Sequence, residues 1–152
     1  MNMNSDFKIE LIPYDKMESI LPLVFLLNNK KIKYAILKER LEDMLAMGGY
    51  ECIGVYDSEK LIGICGLWVL NKLYVGKHVE PDNVFIKEEY RSRGVGQLMM
   101  DYMFQYAKDI GCVGSEVNCY KKNEKGQKFW ERQGYKPKAF HYFMNFYDLS
   151  NE

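Results

Sequence analysis

Between Val84 and Ile110 the hydrophobic period of the chain changes once, and that change restricts what it can build. Val84-Phe85-Ile86 closes a strand that begins near His78, and Lys87 leads into the polar loop Glu88-Glu89-Tyr90-Arg91-Ser92-Arg93. From Gly94 the apolar positions Val95, Leu98, Met99, Tyr102, Met103, Tyr106 and Ile110 fall at i, i+3, i+4, i+7, i+8, i+11 and i+15, one face of a helix that Gly111 is placed to stop. The first turn of that helix has N–H groups without intrahelical partners, and the macrodipole adds about half a positive charge there. Gly94 and Gly96 remove the side chains that would keep a bulky anion from those amides, and Arg91 and Arg93 add charge. Phosphate or pyrophosphate is the natural ligand of such a corner. A plain connecting turn is the competing reading of a bare GxG.

Two familiar phosphate loops do not fit. A Walker loop needs GxxxxGK followed by Ser or Thr, and neither glycine stands in that pattern. A dinucleotide fingerprint needs Gly or Ala at its third position, where Met99 stands and would oppose close helix–strand packing.

The flanking segments agree with helices packed on a sheet. Phe7 to Ile12 alternates as a short strand, and Asp15 with Glu18 suggests a capping box at a helix start, whose length Pro22 limits. A helix is predicted from about Lys31 to Met47, with Ile32, Ile36, Leu41, Met44 and Leu45 on its apolar face and Gly48-Gly49 ending it. Tyr50 to Tyr56 and Leu61 to Val69, joined by Asp57-Ser58-Glu59-Lys60, read as a hairpin. Val113 to Tyr120 returns to strand, Asn123 caps a short helix through Gln133 that Gly134 closes, and Tyr135 to Leu149 reads as one or two terminal strands. Strands alternating with helices, with a hairpin before and aromatic strands after, imply a mixed α/β sheet with helices on both faces. No repeat or linker divides the 152 residues, so 1–152 reads as one domain.

Composition narrows the function classes. Lys plus Arg and Asp plus Glu both count 21, a balance that argues against nucleic acid or an anionic membrane as partner. The apolar stretch Ile20 to Leu27 is far below the ~20 residues that span a bilayer, and Met1 to Lys8 shows no secretory pattern, so a cytoplasmic location is expected. Cys52, Cys65, Cys112 and Cys119 lack metal-ligand spacing and read as structural, and His78 and His141 are too scattered to complete a zinc set, so no metal is expected.

The run from Ile86 through Arg91-Ser92-Arg93-Gly94-Val95-Gly96 to Leu98 resembles the acyl-CoA motif of the GNAT superfamily of N-acetyltransferases, (Q/R)xxGx(G/A) after a strand. Asn123-Glu124-Lys125-Gly126-Gln127-Lys128-Phe129-Trp130-Glu131-Arg132-Gln133-Gly134-Tyr135 is similar to the family's second signature, NxxAxxFYxxxGF, at the family's spacing of one helix and one strand. The resemblance is strongest over residues 79 to 137. It implies a mixed, mostly antiparallel sheet of six to seven strands, splayed between two central parallel strands.

It also implies roles for particular residues. The amides from Ser92 or Arg93 through Gly94, Val95, Gly96 and Gln97 wrap the pyrophosphate of acetyl-CoA, with Arg91 at the motif's first position. The pantetheine arm lies where the Val84–Ile86 strand splays from its neighbour, and an amide near Phe85 or Ile86 polarises the thioester carbonyl. Asn123 contacts the pantetheine, caps its helix, or does both. A lysine-like amine of pKa ~10.4 is mostly protonated at neutral pH, and about 4 to 5 kcal/mol separates it from its reactive form, so a base matters. Glu80 aligns with the strand glutamate that is the base in some members, and Asp82 faces the same way if Pro81 leaves the strand regular. The alternative is that both are solvated strand-start carboxylates. Trp130 stands where many members carry a Tyr proposed to protonate the thiolate, and it packs against the cofactor arm or the core. The thiolate then leaves unaided, or Tyr120 or Tyr135 supplies the proton.

The activity implied is acetyl transfer by direct attack of a primary amine of a small molecule or peptide on acetyl-CoA. A GNAT-like module that binds acyl-CoA without turnover is the alternative, and a nucleotide-binding regulator, which would prefer ATP or NAD over CoA, is a third. The identity of the acceptor is not legible in the sequence, and a homodimer is left open.

Overall fold

The computed structural model describes residues 6–147. They fall into two compact units, Met1–Val117 and Asn118–Glu152.

The first unit is built on a five-stranded sheet of order β1-β2-β3-β4-β5. Phe7–Leu11 (β1), Tyr50–Asp57 (β2), Lys60–Lys72 (β3) and Gly76–Ile86 (β4) are each antiparallel to the next, and β4 runs parallel to the two-residue Gly114–Ser115 (β5). The predicted hairpin is β2–β3, turned at Ser58 in the left-handed region with φ 54°.

Both faces of the sheet are covered. Register places Tyr50 opposite Trp68 and Cys52 opposite Gly66. On that face Leu21–Leu27 (α1) and Tyr34–Met47 (α2) bring Leu21, Leu23, Val24, Leu37 and Leu41 into one core with Tyr50, Cys52 and Ile64. Gly63 belongs to the opposite face by strand alternation. A Cβ there would lie 3.5 Å from the sulfur of Met99, which comes from Val95–Asp109 (α3). Met99, Met100 and Met103 of α3 are fully buried.

Five details differ from the sequence reading. Six to seven strands were expected, and the described residues hold five. The predicted strand Val113 to Tyr120 shrinks to Gly114–Ser115, because the ladder with β4 runs only from the Val113 N–H on the Lys77 carbonyl, at 2.8 Å, to the Glu116 N–H on the Val79 carbonyl, at 3.0 Å, among the described residues. Residues 135–147 contain no strand, and the rest of that predicted segment lies outside the described residues. A strand-like pattern is local, whereas a strand needs a partner to receive its ladder of hydrogen bonds. The parallel pair consequently lies at the edge of the described sheet, where the resemblance implies its centre. Asp15 and Glu18 form no capping box: Tyr14–Ile20 is 3₁₀-helical after Pro13 and has no side-chain cap. Pro22 then sits in the first turn of α1, where a missing N–H breaks no helical bond.

In the second unit Glu124–Arg132 (α4) is capped as predicted, the Asn123 side chain accepting from the Gly126 N–H at 2.9 Å.

Candidate active site

The glycine loop is pinned at two points before it reaches the helix. Lys87 N–H donates to the Ile62 carbonyl of β3 at 2.9 Å, and the buried Tyr90 hydroxyl donates to Asp57 Oδ2 at 2.5 Å. Ser92 and Gly94 then take left-handed backbone, φ 60° and 80°, which turns the chain sharply into α3. The Leu98 N–H closes on the Gly94 carbonyl at 3.1 Å, and no side chain caps the helix. The amides of Gly94, Val95 and Gly96 are therefore those a helix start leaves for an external acceptor.

The two arginines hold this loop in shape. Arg91 Nε donates to the Ile86 carbonyl at 2.8 Å and its guanidinium lies 5.3 Å from the Phe85 ring centre, tying the loop to the end of β4. Arg93 lies between the rings of Phe7 and Tyr90, at 5.6 and 5.1 Å.

Upstream of the loop β4 is bulged. Val84 faces Cys65 and Asp82 faces Gly66, so Asn83 has no opposite residue and adopts φ 54°. Such a bulge bends a strand and re-aims its backbone. Pro81, opposite Leu67, leaves the alternation before the bulge intact, and Glu80 and Asp82 share the face of Trp68.

The two carboxylates have different surroundings. Glu80 Oε1 lies 2.8 Å from Lys72 Nζ and 3.1 Å from Nε2 of the buried His78, whose Nδ1 lies 2.8 Å from the Gly76 carbonyl. Burial pushes the Glu80 carboxyl up, but hydrogen bonds with Lys72, His78 and Glu116 and the Lys72 charge outweigh it and hold it below its ordinary value. His78, Glu80 and Glu116 offer ligand atoms within 4.8 Å of one another. Lys72 Nζ, 2.8 and 3.5 Å from the two carboxylates, supplies the positive charge there. Asp82 is exposed, and its Oδ2 accepts from Trp68 Nε1 at 3.3 Å.

Asp82 borders a cavity of about 290 Å³. Leu21 and Val24 of α1 and Leu37, Leu41 and Met44 of α2 form its apolar wall, with Tyr50 and Trp68 of the sheet beneath. Arg40, Asn28 and Asn83 are its other polar lining. Tyr50 is fully buried and its hydroxyl finds no partner among the described residues. Burial, with Cys52, Asp82 and Cys65 close by, pushes this phenol far above its ordinary range, so it stays an O–H. The cavity side chains Tyr50, Trp68, Arg40 and Asn83 were not singled out from the sequence. The available signal was Gly66, a glycine inside an apolar strand, which marks a close approach.

In the second unit a Cβ at Gly126 would strike the Asn123 amide, so the cap explains glycine where the signature has alanine. Gln127 Nε2 donates to the carbonyls of Tyr120 and Lys121 at 3.1 and 2.9 Å. Trp130 stacks edge-on with Phe129 and with Tyr135, ring centres 5.0 and 5.2 Å apart, so of the expected acid candidates Tyr135 adjoins it.

Residues 20–135, spanning the bulged strand, the glycine loop and α4, match the model of the acetyltransferase (GNAT) family. The chain belongs to this family. Its fold is that of GNAT enzymes of known structure. An aminoglycoside acetyltransferase from an uncultured soil metagenomic sample, crystallised with sisomicin, superposes with a TM-score of 0.80 at 14% identity, covering 96% of this chain and 100% of that one. The ribosomal-protein-alanine N-acetyltransferase of Brucella melitensis biovar Abortus 2308 gives 0.76 at 18% identity, covering 92% and 99%. Glucosamine-6-phosphate N-acetyltransferase of Arabidopsis thaliana gives 0.69 at 19%, covering 92% and 98%. No curated protein matches the chain in sequence.

Proposed function

We propose that this GNAT chain transfers an acetyl group from acetyl-CoA to a primary amine of a small molecule or peptide. The observation that carries the reading is the uncapped start of α3, with left-handed Ser92 and Gly94 before it and the bulge of β4 upstream. Acetyl-CoA fits this corner: its pyrophosphate needs convergent N–H donors and positive charge, which Gly94, Val95 and Gly96, flanked by Arg91 and Arg93, provide. When bound it supplies an activated acetyl thioester.

The chain's own residues do the rest. The Phe85 and Ile86 backbone at the end of β4 orients the thioester carbonyl by hydrogen bonding. Asp82, the carboxylate that borders the cavity, receives the incoming ammonium and, directly or through water, its proton. Glu80, held by Lys72 and His78, keeps negative charge two residues away. Within the second unit, the family's second signature assigns the α4 cap Asn123 and Trp130 to the cofactor, and Tyr120 and Tyr135 are the candidate acids for the thiolate. Residues 1–152 are taken as one acetyltransferase domain, in keeping with a family match that runs over residues 20–135. The enzyme works in the cytoplasm; no helix among the described residues is long and apolar enough to cross a membrane.

Trp130 favours a second reading, binding of acyl-CoA without turnover, because an indole offers no titrating proton at the position where the signature has tyrosine. Two measurements separate these readings. Acetyl-CoA at about 100 times its dissociation constant should stabilise the protein by ~2.7 kcal/mol, with NAD and ATP doing much less. Amines should then release free CoA thiol. Absence of a melting shift overturns both readings, and a shift without thiol release from any amine leaves the binding module.

A further inference from the structure

The cavity beside Asp82 has a composition that selects among amines. We infer that the acceptor is a compact, largely apolar amine carrying a single positive charge, and that polycations are poor ligands of this site. This rests on the reading of the cavity as the acceptor site.

Three observations carry it. The volume, about 290 Å³, lies at the lower end of small-molecule sites, which run from roughly 300 Å³ upward. The wall is aliphatic on the helical side and aromatic on the sheet side, so most of the ligand's surface meets carbon. The charge is the decisive feature. Asp82 is the only acidic side chain among the described lining residues, and one of its oxygens is already oriented by the Trp68 indole N–H. One ammonium placed there is paired with Asp82. A second ammonium on the same ligand would find no carboxylate. It would face Arg40 instead, a like charge in the same lining. The neighbouring carboxylate, Glu80, is already paired with Lys72 at 2.8 Å. Aliphatic walls cannot compensate the lost hydration of that second charge, so polyamines and aminoglycosides are selected against by desolvation as well as by repulsion.

Direct binding to the 152-residue chain, without acetyl-CoA, tests this independently of the transferase reading. In a Trp130→Phe background Trp68 is the one remaining indole, since the chain has two tryptophans, and its fluorescence reports the cavity. Hexylamine and phenethylamine should perturb the emission at concentrations at least about tenfold lower than hexamethylenediamine, spermidine or kanamycin. Arg40 is exposed on α2, so Arg40→Glu should fold normally, checked by its melting curve, while placing a second carboxylate at the cavity. That variant should narrow or reverse the preference of hexylamine over hexamethylenediamine. Equal or tighter binding of the polycations to the unsubstituted cavity overturns the inference, as does the absence of any amine response. Failure of acetyl-CoA to bind would instead count against the transferase reading and leave these titrations unchanged.

Discussion

Gly66 and Tyr50 share one space. A Cβ on Gly66 would collide with the Tyr50 hydroxyl and approach the Asp82 carbonyl to 2.6 Å, so Gly66→Ala should destabilise the fold by about 1–3 kcal/mol, read by denaturant melts. Tyr50→Phe should act in the opposite direction. It removes a buried hydroxyl that has no partner among the described residues, the kind of group that costs about 1–3 kcal/mol, and keeps the ring against Trp68 at 5.1 Å. Combined, the two changes should be less harmful than their sum, because each alters the same contact. The carboxylates of β4 also separate at this scale. Asp82→Asn should lower kcat/KM for the acceptor by ~10² with acetyl-CoA affinity nearly unchanged, the loss expected for a base. Glu80→Gln should have the smaller effect, since its carboxylate is already held by Lys72 and His78. The reverse order, measured by thiol release, would return the base role to Glu80.

The glycine loop and α3 act as one element whose two ends have different duties. Its packing end is legible in the period of Val95, Met99 and Met103, all buried. Met100 and Ala107 are buried as well, while Leu98, Tyr102, Tyr106 and Ile110 are half-covered, because a broad sheet hides a wider stripe than a single helical period marks. The end proposed to bind acetyl-CoA depends on Gly94 at φ 80°, where a β-branched side chain is strained and would intrude on the uncapped amides. Gly94→Val should therefore weaken acetyl-CoA binding by at least about tenfold in titration calorimetry while the far-ultraviolet spectrum stays that of the parent. Normal affinity in a normally folded variant would make the loop a connector only. At α4 the Asn123 cap was legible from an Asn before a polar-apolar run, and Gly126 inside that helix is explained by the room the cap needs.

For the whole molecule, balanced charge leaves stability to local pairs, and Glu80 provides the clearest dependence on pH. Its carboxyl is held below the ordinary glutamate value in the fold, so the folded state favours the ionised form. The resulting stabilisation is fully present above the unfolded value of about 4.3 and is lost as pH falls through the lower folded value. The melting-temperature gap between the parent and Glu80→Gln should accordingly be widest near neutral pH and shrink on acidification to about pH 3. A gap that grows on acidification would show that the pair does not favour the carboxylate. Properties carried by neighbours along the chain were determined by the sequence alone: the β2–β3 hairpin, the helix after Gly94 with its uncapped start, and the Asn123 cap depend on periodicity, turn chemistry and orphaned amides within a few residues. Strand pairing and side-chain company were decided only by the tertiary structure. Val113 to Tyr120 has the composition of a strand, yet its hydrogen bonds to β4 end at Glu116. Glu80 and Asp82, two residues apart, acquire different surroundings because β3 sets Lys72 beside one and Trp68 beside the other. The cavity that distinguishes them takes its walls from α1, α2 and the sheet, and no local pattern encodes which distant side chains will close around a space.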